Sequence, residues 1–145
     1  MPRLDAERVA LWRRLGVVVA ELHRAIDVEL TEVHAVPLPW FDAMSAIRDA
    51  GGVMRVGVLR EALGDVASSL SRRLDRMEES GFITRSDAPV GDDRRAVSVS
   101  LTPGGRAAWR DANITYRRLV QQRFASRLTD TDVAALQRVL TKTER

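Results

Sequence analysis

From Asp5 to about Val36 the apolar residues Leu15, Val18, Val19, Leu22, Ile26 and Leu30 recur at helical spacing, with Leu11 and Trp12 ahead of them. Glu21, Arg24, Asp27 and Glu29 supply a polar side, while Val17 widens the apolar surface beyond one stripe. A helix covered along one stripe does not need that width. The pattern therefore predicts a long first helix with one side reserved for a second subunit.

Pro37-Leu38-Pro39 ends that helix and opens the next, because proline disfavours helix before it but suits a first turn. Trp40, Phe41, Met44 and Ile47 give a short helix its inner face as far as about Ala50, and Gly51-Gly52 breaks it. Val53-Met54 fits a short strand. A helix is predicted from about Val56 to Leu63, with Val56, Leu59 and Leu63 inward, and Gly64 supplies a corner. Asp65 is the expected cap of the following helix, whose buried stripe reads Val66, Leu70, Leu74 and Met77. Ser80-Gly81 closes it.

After Gly81 the period changes. Phe82 to Ser86 and Ala96 to Leu101 read as two strands, the second alternating Val97, Val99 and Leu101 with Ser98 and Ser100. The segment Asp87 to Arg95 between them is a long, exposed hairpin tip. Thr102 caps a further helix with Pro103 at its first position, and Trp109, Ala112, Tyr116, Leu119, Val120 and Phe124 carry its apolar side to Leu128. Thr129 to Asp132 is a fresh cap for a last helix bearing Val133, Leu136, Val139 and Leu140, with Lys142 and Arg145 suited to its negative pole. The expected fold is mainly α with a small β-hairpin wing.

Composition narrows the function more than it defines it. The 145 residues make one domain's worth of chain, and 45% hydrophobic with 30% charged residues describes a globular protein. No apolar run approaches the length of a membrane span, and the arginines near the N-terminus precede no long apolar region, so residence in the cytoplasm is expected, away from any membrane. The absence of cysteine removes disulfides, thiolate metal sites and thiol redox sensing. Two separated histidines, His23 and His34, make a poor metal site, and no metal or other cofactor is expected. With no glycine-rich phosphate loop and no nucleophile–base cluster, an enzyme is not expected. Net charge is only +3, yet Lys142 is the only lysine among the cations. Arginine reads phosphates and base edges bidentately, although an arginine-rich codon bias gives the same composition.

Placement decides. Ser68, Ser69 and Ser71 are small hydrogen-bonding residues, Ala67 permits close approach, and Arg72 and Arg76 lie one turn apart. That is what a helix in a major groove requires: short side chains near the bases and arginines at phosphates or guanines. Arg73 points about a hundred degrees away from Arg72 and is placed to cover the flank or pair with Glu61 or Asp65. The competing reading pairs Arg72, Arg73 and Arg76 with Asp75, Glu78 and Glu79 along the helix. At the hairpin tip, Asp93 can hold Arg95 extended as a minor-groove probe, with Arg94 beside it. An ordinary polar turn has a similar composition.

Leu59 to Gly81, together with Asp93-Arg94-Arg95-Ala96-Val97-Ser98-Val99-Ser100-Leu101-Thr102-Pro103-Gly104-Gly105, resembles the MarR family of bacterial transcriptional regulators. The shared marks are an Asp-x-Arg wing and a strand ending in Leu-Thr and a glycine; Pro39-Trp40-Phe41 and Gly51-Gly52 also resemble a common family variant. The resemblance implies a winged helix-turn-helix over residues 37–102 and dimerisation helices at 1–36 and 103–145. It implies a homodimer on a pseudo-palindromic duplex, usually a repressor, released when a small, often aromatic effector enters a pocket. Arg95 would be the minor-groove arginine, Asp93 its support, and Ser68, Ser69, Ser71 and Arg72 the major-groove face, with Arg73, Arg76 and Arg94 adding positive charge. His23, Trp40, Phe41 and Met44 are the candidate pocket residues, and they equally suit plain core. The wing is longer than the usual family pattern, which leaves Arg94 and even Arg85 as alternative probes. A winged-helix module that binds protein instead of DNA is the alternative function.

Overall fold

The computed structural model describes residues 5–87 and 97–144. Helix α1 runs Ala6–His34, its first turn capped by the Asp5 carboxylate accepting from the Arg8 backbone N–H at 3.1 Å. It stops short of Val36, because Ala35 turns left-handed at φ 54° and returns its N–H to Leu30 and Thr31. Helix α2, Leu38–Asp49, has no cap of its own at Pro37. Asp27 on α1 does that work, accepting the Leu38 N–H at 2.8 Å and so tying the two helices at their corner.

Strand β1 (Val53–Arg55) leads directly into α3 (Val56–Leu63), and after a turn α4 spans Ala67–Glu79. Strands β2 (Ile83–Ser86) and β3 (Ser98–Leu101) complete an antiparallel sheet ordered β1-β3-β2. Ile83 pairs with Leu101 at one end and Ser86 with Ser98 at the other, from which the 88–96 connection leaves. Both strands begin later than their sequence pattern suggested, at Ile83 and Ser98. Helix α5 (Pro103–Arg123) starts on the Thr102 cap and ends before Phe124. A short 3-10 turn at Ala125–Arg127 then replaces the expected continuation to Leu128. The last helix, α6 (Asp130–Thr143), opens with a reciprocal capping box between Thr129 and Asp132.

The core gathers Leu30, Val36, Met44, Ile47, Leu59, Leu70, Leu74, Met77 and Val99 beneath α5, where Phe41 packs against Trp109 and Tyr116. Gly105 lets α5 sit directly on the backbone carbonyl of Phe82, where an added Cβ would overlap that oxygen. The first half of α1 has no such cover. Leu11, Trp12, Leu15 and Val18 are exposed there, as are Val133, Leu136, Val139 and Leu140 on α6.

Candidate nucleic-acid interface

The α3–α4 corner is set by Gly64, left-handed at φ 68°, whose N–H returns to Arg60 and Glu61. Leu70, Leu74 and Met77 anchor α4 in the core, each at most 1% exposed. Val66 does not join them: it is the N-cap residue of α4 and 71% exposed, so the buried stripe begins one turn later than its spacing suggested. Asp65 does not cap the helix either. Its carboxylate instead accepts from Arg73 Nη1 at 2.8 Å, with both side chains largely enclosed. One of the two pairings expected for Arg73 is thus formed, and it turns this guanidinium toward the protein.

Ser68, Ser69, Ser71, Arg72 and Arg76 all lie on the exposed side of α4. The helical ion pairing that competed with this arrangement is not formed. Arg85 on β2 takes two of the three acids instead, reaching Asp75 at 2.6 Å and Glu78 at 3.4 Å, while its backbone N–H donates to Glu78. The hydrogen bond that Arg85 donates to the Asp75 carboxylate is the main influence raising the Arg85 pKa, so the guanidinium is held charged and tied to α4. This corrects the view of Arg85 as an alternative groove probe. Arg72 and Arg76 form no ion pair among the described residues. The outward face of α4 therefore carries two arginines in no ion pair among the described residues and three small hydroxyls, the chemistry that phosphate and base-edge contacts use. Asp93, Arg94 and Arg95 lie outside the described residues.

The four candidate pocket residues divide between the core and a surface cleft. Met44 and Phe41 are core residues, and Trp40 packs edge-on against Phe82 with ring centroids 6.1 Å apart. The apolar spacing that marked them reports their place in the core. His23 borders a cleft of about 420 Å³ lined by Arg24, Asp27, Leu38, Asp42, Asp65 and Arg73. Partial desolvation of the solvent-accessible Asp42 carboxyl there raises its pKa above 3.8, against the opposing pull of His23 and Arg73. What sequence reasoning missed is the set of partners that come from other elements: Asp27 on the Leu38 N–H, and Arg85 on Asp75 and Glu78.

A helix pair turned on glycine, an outward arginine–serine helix and a three-stranded sheet behind it define a winged helix-turn-helix protein. A family model described as the MarR family matches residues 36–96. Over 136 residues the chain is 33% identical to the multiple antibiotic resistance protein MarR of Salmonella typhimurium, covering 94% of this chain and 92% of that one. It is 31% identical over 108 residues to the HTH-type transcriptional regulator PecS of Dickeya dadantii, covering 73% of this chain and 63% of that relative. A crystal structure of a mutant MarR from Escherichia coli, complexed with operator DNA, superposes with a TM-score of 0.82 at 27% identity, over 98% of this chain and 100% of that one. The chain belongs to the MarR family of transcriptional regulators.

Proposed function

We propose that the chain is a sequence-specific regulator that binds double-stranded DNA as a homodimer and acts as a repressor. The observation that carries this reading is the exposed face of α4, where Arg72 and Arg76 form no ion pair among the described residues while Arg85 engages Asp75 and Glu78. The operator complex of the related MarR places the same class of fold on DNA.

Dimerisation rests on the bare apolar side chains of α1 and α6, with Trp12 73% exposed. Terminal helices that leave such surface open on a single chain bury it by pairing. Residues 1–36 and 103–145 are accordingly the dimerisation part, and 37–102 the DNA-binding part. Asp93, Arg94 and Arg95 complete the contact from the wing. The effector site falls at the cleft beside His23, which touches α1, α2 and the Asp65–Arg73 pair at once, so a small aromatic guest there has leverage on α4. The protein works in the cytoplasm on DNA and is not an enzyme; among the described residues no helix is long and apolar enough to cross a membrane.

A genome-wide pull-down tests the reading. It should recover a short pseudo-palindromic site, and recovery of no enriched duplex would contradict it.

A further inference from the structure

Away from the α4 face, at the sheet end opposite the 88–96 connection, a cavity of about 660 Å³ opens between the end of α2 and the start of α5. Its lining holds Arg48, Arg106 and Arg110 against one carboxylate, Asp49, with Gly51, Gly52, Leu101 and Trp109 completing the wall. We propose that this cavity binds a compact phosphate-bearing metabolite, so that the chain has an anion site separate from its DNA-binding face.

Charge, fixation and space each support this. Three guanidinium groups and one carboxylate leave a local excess of two positive charges, matched by a phosphate ester or diphosphate rather than a neutral guest. Arg106 and Arg110, four residues apart on α5, have no carboxylate partner among the described residues. Asp49 approaches only Arg48, at 3.4 Å, and both side chains are well exposed.

The Arg48 guanidinium is held 4.1 Å from the centre of the Trp109 ring, which fixes its direction before any ligand arrives. That indole is itself anchored, because its Nε1 donates to Ser45 Oγ at 2.8 Å. Arg48 thus lies over the Trp109 ring, which favours recognition by charge instead of aromatic stacking.

Gly52 makes room for Arg106. It sits at φ 100°, and a Cβ there would lie 2.6 Å from Arg106 Nη2. The Gly52 backbone is spent on Ile47 and Leu101, so the positive groups facing the ligand are the arginines. The volume suits a metabolite, since small-molecule sites commonly span roughly 300–1,000 Å³. Because the walls are the end of α2, the loop before β1 and the start of α5, a bound anion would brace the base of the sheet.

Isothermal titration of the full-length protein with pyrophosphate and with citrate tests the assignment. Pyrophosphate should bind saturably, once per chain, and more tightly than citrate. Arg106→Gln with Arg110→Gln should weaken that binding by about tenfold or more, whereas Arg72→Ala with Arg76→Ala should leave it unchanged. Melting curves establish that each variant folds; if the double glutamine variant does not, Arg110→Gln alone carries the test. Absence of saturable binding, tighter binding of citrate, or binding lost in Arg72→Ala with Arg76→Ala would each overturn the proposal. So would binding undiminished in the Arg106/Arg110 variant.

Discussion

Asp65, in the turn before the recognition helix, is bonded to Arg73 in that helix at 2.8 Å, and the two side chains are only 23% and 16% exposed. The pair joins the start of α4 to its own second turn and borders the His23 cleft. Breaking it leaves one enclosed charge without a partner. Asp65→Ala should therefore cost about 1–3 kcal/mol of stability in urea unfolding, and Arg73→Ala a similar amount.

Arg72 and Arg76 face outward without ion pairs among the described residues, so their removal should act on DNA and not on the fold. Arg72→Ala and Arg76→Ala should each lower duplex affinity and reduce the magnitude of the salt slope by about 1. Melting temperatures should change little. Anisotropy titrations over a range of salt concentrations measure both quantities.

Gly105 predicts a different kind of failure. Helix α5 rests on the Phe82 carbonyl at this position, and an added methyl has nowhere to go without a backbone shift. Gly105→Ala should destabilise the protein by about 1–3 kcal/mol, the usual cost of overpacking. Gly104→Ala is the control: an added Cβ there would lie 3.4 Å from the Gly81 carbonyl, within reach of a small adjustment.

Asp42 sets a pH dependence. Partial desolvation of its solvent-accessible carboxyl raises its pKa in the folded chain above 3.8, so the folded state binds its proton somewhat more tightly than the unfolded state does. The resulting stabilisation is fully present below 3.8 and is lost as pH rises through the raised folded value. Asp42→Asn mimics the protonated form. The variant should be more stable than the parent at neutral pH, with the advantage vanishing in acid; urea unfolding at several pH values reads the difference.

Much of this was legible in the sequence because it is periodic. Leu22, Ile26 and Leu30 gave α1, Leu70, Leu74 and Met77 gave the buried side of α4, and Val99 with Leu101 gave β3. Gly64, Thr102 and Thr129 marked corners and caps through local chemistry, and each plays the expected part. The fate of Asp65 was less certain because capping and pairing competed for one carboxylate, and tertiary geometry chose Arg73. Arg85 was hidden for a related reason: its acids, Asp75 and Glu78, come from another element, and helical spacing cannot anticipate a strand crossing beside them. Phe41 and Met44 show the limit of apolar pattern, which reports an inward direction but not whether space remains there.

DNA binding by the arginine face is tested most directly by the affinity of the protein for its recovered duplex as salt is raised. Arginine contacts to phosphates displace counterions, so the logarithm of affinity should fall steeply and linearly with the logarithm of salt concentration, at two chains per site. Affinity that ignores salt, or no binding to duplex at any salt, would contradict it.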